Sequence, residues 1–196
     1  MANEIVKLIN EQLDDLVDRY KSVQNLPKIG RTLSETISIF MKIVEMNHNI
    51  DSASFKEIVI SDYRLSRNTV NTILPTLERV NILMIIDDTV RLTNMSKKYL
   101  ENNDIAYICR GYLEDHFGFL EMLLLIAESK YDRISKCFNE WVKLYEKGIG
   151  ERNINTHKSQ FNKIYRYLVD LNLVIKREYL IINDDLLTRC FRTDVF

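Results

Sequence analysis

Residues 65–93 read LSRNTVNTILPTLERVNILMIIDDTVRLT, and the spacing of the apolar residues changes halfway along this segment. Between Val70 and Leu77 the apolar side chains recur at helical spacing, which predicts a helix over 67–80 with Ser66 as its N-cap. From residue 82 onward the apolar residues form two short runs on either side of Asp87-Asp88, which predicts a β-hairpin. The expected local structure is therefore a helix followed directly by a hairpin.

Two further helices are expected before this segment. The first covers residues 34–46, with Ser34 as its N-cap, and a shorter one covers residues 54–59. Pro75 lies inside the third predicted helix, where it removes a backbone hydrogen bond and is expected to kink the axis beyond the first turns. The resulting order is helix, short helix, turn, third helix and hairpin, and another helix is expected to begin near residue 96.

The same order recurs in the second half of the chain. An offset of 91 residues aligns residues 70–83 with residues 161–174, so that Asn71, Leu77 and Asn81 meet identical residues. The elements expected here are helices over 119–129, 134–146 and 156–171, a loop over 147–150, and strands over 173–176 and 179–182. A duplicated supersecondary unit explains such a match. The first copy is residues 34–93 and the second copy is residues 119–183.

Composition supports a helical globular chain. The sequence has 196 residues, of which 46% are apolar and 28% charged, and it holds only 5 Gly and 2 Pro. The expected fold class is mainly α with short β-hairpins. The expected organisation is an amphipathic N-terminal helix and linker over 1–30, a first unit over 31–104 and a second unit over 105–196.

The first copy resembles the winged helix-turn-helix superfamily, and in particular MarR-like and GntR-like repressors. The resemblance rests on Leu65-Ser66-Arg67-Asn68-Thr69-Val70, on the run from Leu77 to Leu83, and on Val90-Arg91-Leu92-Thr93. It implies that the third helix of each unit reads duplex DNA, because a helix fits the major groove with its N-terminal turns towards the base edges. The second copy shares this implication through the internal repeat.

Polar side chains at the start of each third helix are the candidate DNA contacts. Arginine can bridge the major-groove edge of guanine, asparagine that of adenine, and Ser, Thr and Lys suit phosphates. The candidates in the first copy are Arg64, Ser66, Arg67, Asn68 and Asn71. The candidates in the second copy are Lys158, Ser159, Asn162, Lys163, Arg166, Lys176 and Arg177, and His157 occupies an equivalent helix position.

Charge favours the second copy as the DNA-binding one. The whole chain has 27 Lys and Arg against 28 Asp and Glu, for a net charge of −1, which excludes a uniformly basic coat. From Lys147 to Arg177, however, seven basic residues face only Glu151 and Asp170. The first hairpin has Asp87-Asp88 at its tip, which a phosphate backbone would repel. Salt-dependent duplex binding through the second copy is therefore expected.

A second hypothesis treats the chain as an assembly subunit. Residues 3–23 are expected to form one amphipathic helix, whose apolar stripe packs either on its own chain or on a protein partner. The candidate partner-binding residues are Ile5, Ile9, Leu16 and Tyr20. Tandem winged-helix chains of this size also resemble the kleisin-interacting (KITE) subunits of SMC-type complexes, which implies an oligomeric role in DNA handling or in anti-phage and anti-plasmid defence.

Catalytic, metal and membrane functions find little support in the sequence. His48, His116 and His157 are scattered, and the three cysteines form no CxxC pair, so no metal, cofactor or catalytic residue is expected. The apolar run over 117–127 is too short to span a bilayer, which needs about 20 residues. A non-enzymatic, cytoplasmic protein that binds double-stranded DNA is the first expectation, and the subunit role is the alternative.

Overall fold

A computed structural model describes residues 2–15, 19–129 and 131–191. These residues form helices and two small antiparallel hairpins, which confirms the expected class, mainly α with short β-hairpins. The α-helices are α1 Ala2–Asp15, α2 Leu33–Met46, α3 Ser52–Tyr63, α4 Arg67–Val70, α5 Ile73–Arg79, α6 Asn94–Asn102, α7 Ala106–Asp115, α8 Phe119–Glu128, α9 Phe138–Ile149, α10 Ile154–Asp170 and α11 Asp184–Phe191. The strands are β1 Leu83–Ile86, β2 Thr89–Leu92, β3 Val174–Lys176 and β4 Leu180–Ile182, and a 3-10 helix covers Ile134–Cys137.

The chain forms two compact units. The first unit consists of residues 24–111, and the second unit combines the described residues of 1–23 with those of 112–191. The observed boundaries, at 23/24 and 111/112, differ from the expected ones at 30/31 and 104/105. Helix α1 therefore belongs to the same unit as the second copy.

The first unit has the order α2, α3, α4, α5, hairpin and α6. Ser66 caps α4 as expected, since its hydroxyl accepts a hydrogen bond from the Thr69 amide at 3.3 Å. Helix α2, by contrast, begins one residue before Ser34 and is capped by Thr32, which accepts from the Glu35 amide. Helix α3 runs from Ser52 to Tyr63, longer than expected, because Asp51 caps its start.

Pro75 divides the third helix earlier than expected. The helix over 67–80 is interrupted at Asn71-Thr72, between α4 and α5, and not beyond the first turns. A proline ring excludes a hydrogen bond to the residue four positions earlier, which here is Asn71, and crowds its carbonyl group. Only one turn of helix, residues 67–70, precedes the break.

The first hairpin closes through two left-handed residues. Asp87 and Asp88 have φ of 49° and 61°, the conformation of a two-residue type I′ turn. Leu83 pairs with Leu92 and Ile86 with Thr89 in the resulting antiparallel register. The acidic pair therefore forms the tip of the hairpin, as expected.

The junction between the third helix and the hairpin has the same backbone hydrogen bonds in both units. Asn81 and Asn172 both adopt positive φ, at 53° and 60°. In the first unit, the Asn81 amide donates to Glu78 O and the amide of the next residue donates to Leu77 O. In the second unit, the Asn172 amide donates to Val169 O and the amide of the next residue donates to Leu168 O. All four distances are 2.9 Å. The repeated pattern in the sequence therefore corresponds to a repeated helix–hairpin junction in the structure.

Helix α1 packs on its own chain. Ile5 is 7% exposed and Ile9 is fully buried, and α8 is the neighbouring helix. Leu16 lies outside the described residues. The prediction of one helix over 3–23 is wrong at its C-terminal end, because residues 19–23 are not helical and Tyr20 forms an isolated β-bridge with His116. The Tyr20 amide donates to Asp115 O at 2.6 Å, and its carbonyl accepts from the Phe117 amide. We call residues 19–23 the extended segment.

A buried ion pair fixes this extended segment. Arg19 Nη2 lies 2.6 Å from Glu121 Oε1, and both side chains are under one-tenth exposed. The guanidinium also lies 4.1 Å from the centre of the Phe117 ring. The other Glu121 oxygen accepts from the Gly118 amide at 2.7 Å, so this one carboxylate holds both the segment and the start of α8.

The expected loop over 147–150 is wrong, since α9 continues to Ile149. Gly148 lies within this helix, and the Phe117 ring packs so close to its backbone that a Cβ there would fall 2.0 Å from the ring. The absence of a side chain at Gly148 thus allows the Phe117 ring to pack against the helix, and does not mark a turn. Gly118 combines both uses: its φ is 102°, and Trp141 Nε1 donates to its carbonyl at 2.9 Å.

The stability of the second unit is expected to depend on pH through Asp115. Burial, with a contribution from Glu114, raises the pKa of the Asp115 carboxyl from 3.8 to about 6. The unfolded chain loses this proton first, so stability is expected to fall as pH rises between these values. Asp115→Asn should therefore stabilise the fold by about 1–2 kcal/mol at pH 8 and leave it unchanged below pH 4, in urea unfolding. The control Glu151→Gln, at an exposed site, should leave the stability unchanged at both pH values. Equal unfolding midpoints of Asp115→Asn and wild type at pH 8 would contradict the prediction.

Candidate nucleic-acid interface

One face of α10 carries polar and basic side chains towards solvent. Lys158, Asn162 and Arg166 are spaced four residues apart, so they lie in line along the helix, and all three are exposed. Ser159 is exposed beside them. The opposite face is buried through Phe161, among others. With 17 residues at 1.5 Å per residue, α10 is about 25 Å long, which is enough to lie along a major groove.

The hairpin that follows α10 adds positive charge. Lys176 ends β3 and Arg177 begins the turn, and both are exposed. The Arg177 amide donates to Tyr179 O at 3.0 Å, which closes the turn. Glu178 at the tip is the single acidic residue between the two strands. We call Lys158, Ser159, Asn162, Arg166, Lys176 and Arg177 together the basic face.

Two candidates from the sequence fall on the other side of α10. The Lys163 ammonium donates to Val23 O at 2.7 Å, and burial, reinforced by Arg166, lowers its pKa below the usual range. His157 is 1% exposed and lies 2.8 Å from Glu146 Oε1. Gln160 likewise accepts from the Val23 amide at 3.0 Å. Lys163 and Gln160 therefore hold the extended segment on α10, whereas His157 joins α10 to α9. Lys163 and His157 are thus engaged within the protein and do not belong to the solvent-facing side of α10.

The first unit also presents its predicted contacts to solvent. Arg64, Ser66, Arg67, Asn68 and Asn71 are all exposed. The Ser66 hydroxyl is committed to capping α4 and lies 2.9 Å from Thr69 Oγ1. Because the helix breaks at Asn71, the polar residues occupy a single turn and the residues flanking it. This surface is smaller than the one on α10.

Two of the predicted partner-binding residues on the N-terminal segment, Ile5 and Ile9, are buried. Ile5 and Ile9 lie in the core of the second unit, which corrects their assignment as partner contacts. Tyr20 keeps 45% of its surface exposed, and its ring lies 5.4 Å from the His116 ring. Among the predicted partner residues that the structure describes, Tyr20 is the accessible one.

The described residues provide no cluster of three His, Cys, Asp or Glu side chains that could hold a metal ion. Cys109, Cys137 and Cys190 are buried free thiols. Burial raises the pKa of Cys137 to about 11, which keeps it protonated at neutral pH. No helix in the described part of the chain is long and apolar enough to cross a membrane.

Comparisons with known proteins give one informative similarity. No family model matches the chain, and no curated protein matches it. A solved structure of the BpuJ1 endonuclease binding domain, in complex with pyrene- and phenanthrene-modified DNA, is similar over 90% of this chain and 84% of that one. The TM-score is 0.53 at 12% sequence identity. The two chains therefore share a fold, and that fold occurs in a DNA-binding domain.

Proposed function

We propose that this chain is a non-enzymatic, duplex-DNA-binding protein built from two winged helix-turn-helix units. The observation that carries the proposal is the basic face: four of its six residues are cationic, all six are exposed, and they follow one side of a long helix and the adjoining hairpin. Lysine and arginine side chains in such an array neutralise phosphates and release counterions, which is the main source of duplex affinity. The DNA complex of the structurally similar endonuclease domain supports the same conclusion.

The two units have different chemistry for this task. The second unit offers its four exposed cations, Lys158, Arg166, Lys176 and Arg177, for the phosphate backbone. The first unit offers Arg67 and Asn68, which can pair with guanine and adenine edges but bring little net charge. We assign backbone affinity to the second unit and base contacts to the first. The acidic tip at Asp87-Asp88 keeps the first hairpin away from the phosphates.

DNA is a better-supported partner than the protein partner of an SMC-type accessory subunit. Three features favour that alternative: the near-zero net charge, the acidic first hairpin and the apolar stripe of the N-terminal helix. The stripe is the feature that would bind a partner, and its residues Ile5 and Ile9 are buried within their own unit. The free, buried thiols fit the cytoplasm, where cysteines stay reduced. We therefore propose a cytoplasmic DNA-binding role.

Salt dependence of binding tests this proposal directly. Fluorescence anisotropy with a labelled duplex should show an affinity that falls about 100-fold between about 50 and about 200 mM salt, as four phosphate contacts require. The midpoint of thermal unfolding, measured at both salt concentrations, shows that the protein stays folded. An affinity that does not change with salt, or no binding at the lower concentration, would refute the proposal.

A further inference from the structure

The first hairpin has one open edge. Strand β2 is hydrogen-bonded on both sides, to β1 and to the segment before α3: the Val90 amide donates to Ile50 O at 2.8 Å, and the Ser52 amide donates to Asp88 O at 3.0 Å. Strand β1 pairs with β2 alone among the segments the structure describes. The outer edge of β1 is therefore available for another strand.

The backbone of Ile85 points towards this open edge. Ile85 lies opposite Val90, and the Val90 amide is directed away from β1, to Ile50. In an antiparallel pair, residues that do not bond to each other direct their N–H and C=O groups outward. Ile85 thus presents one donor and one acceptor to an incoming strand.

The side chains of β1 do not protect the edge. Open edges of natural sheets are usually blunted by charged residues, proline or bulges. Strand β1 reads Leu83-Met84-Ile85-Ile86 and holds no charge, and Met84 and Ile86 on one face are 37% and 43% exposed. The equivalent strand of the second unit, β3, carries Lys176. An extended apolar strand is the chemistry that fits β1.

We propose that a second copy of this chain pairs with β1 in antiparallel orientation, forming a four-stranded sheet across a two-fold axis. The register centres on Ile85 opposite Ile85, because this residue has its backbone groups free to exchange hydrogen bonds. Met84 of each copy then lies opposite Ile86 of the other on the exposed face. A shift by one residue would bring opposite faces together, so the pattern selects this register.

Charge complementarity is the reason to choose a second copy as the occupant. Strand β1 ends at the acidic tip, Asp87-Asp88, and its other end lies at a groove whose charged lining residues are Lys97, Lys98 and Glu101. Two lysines against one glutamate leave this groove with a net positive charge. A two-fold antiparallel arrangement brings the acidic tip of each copy to the lysines of the other. DNA, with the same sign of charge as the tip, does not fit this edge.

Sedimentation equilibrium of the full chain tests the proposal. Between about 1 and about 100 µM, a range that covers weak and moderate association, wild type should pass from monomer to dimer. Ile86→Lys should weaken dimerisation at least tenfold by placing a charge on the apolar face. Ile181→Lys is the matched control, since Ile181 is also 43% exposed, on the hairpin of the second unit, and it should dimerise like wild type. Circular dichroism confirms that both variants fold.

Cysteine cross-linking tests the register. Residues in a hydrogen-bonded antiparallel pair have Cα atoms about 5.5 Å apart, within disulfide range, so Ile85→Cys should form a covalent dimer under mild oxidation. Ile86→Cys should not, because its copies are offset along the strand. The native cysteines are buried, and wild type gives the baseline. A monomer at the highest concentration, a dimer insensitive to Ile86→Lys, or no cross-link at residue 85 would overturn the proposal, whatever the result of the DNA-binding test.

Discussion

Replacing Lys158, Lys176 and Arg177 by alanine in one chain is expected to weaken duplex binding roughly 100-fold at about 100 mM salt. Each of these exposed cations can neutralise one phosphate, and removing one such cation should lower the slope of log affinity against log salt by about 1. The triple variant should therefore show a slope smaller by about 3 and bind all sequences more weakly to the same extent. Anisotropy titrations over a salt series measure both quantities.

A control with the same change in net charge separates direct phosphate binding from the general field of the protein. Lys7, Lys42 and Lys143 are exposed lysines that lie on neither α10 nor the hairpins. Their triple alanine variant should bind less than about fivefold more weakly and keep the wild-type slope, because distant exposed charges are screened by salt. Equal effects in the two triple variants would show that the basic face is not the binding surface.

The repeated junction between the third helix and the hairpin could be predicted from the sequence because its determinants are local. Helical spacing, the change to two short apolar runs, and an asparagine before each hairpin all lie within one short segment. Asparagine tolerates the left-handed conformation that Asn81 and Asn172 adopt. Residues that determine the local backbone conformation leave a clear pattern in the sequence. The helical spacing of α10 is such a pattern, and it predicts the exposed positions four residues apart.

The errors lie where distant residues decide the local conformation. The extended segment after α1 is set by Glu121, which is 102 positions away from Arg19. The glycine at position 148 is required by the close approach of Phe117, a contact that no local pattern indicates. From its charge alone, Lys163 is predicted to lie at the DNA surface. Its three-residue spacing from Gln160, however, already puts both side chains on one side of the helix.

Breaking the buried ion pair between Arg19 and Glu121 is the second change with a large expected effect. Arg19→Met should lower the free energy of unfolding by about 3–5 kcal/mol, because it leaves a carboxylate buried without its counter-charge. The effect should appear as a lower urea midpoint with an unchanged m-value. Lys7→Met is the matched control, since the Lys7–Glu11 pair is 3.6 Å long and well exposed, and it should cost less than about 0.5 kcal/mol.

The double variant Arg19→Met with Glu121→Gln distinguishes electrostatics from packing. Glutamine keeps an oxygen for the Gly118 amide but carries no charge, so most of the stability should return. A destabilisation as large as that of Arg19→Met would mean that the packing of Arg19 on Phe117, and not the charge pair, stabilises the segment. Because the same segment receives the Lys163 ammonium and donates to Gln160, its release should also loosen the support behind the basic face of α10.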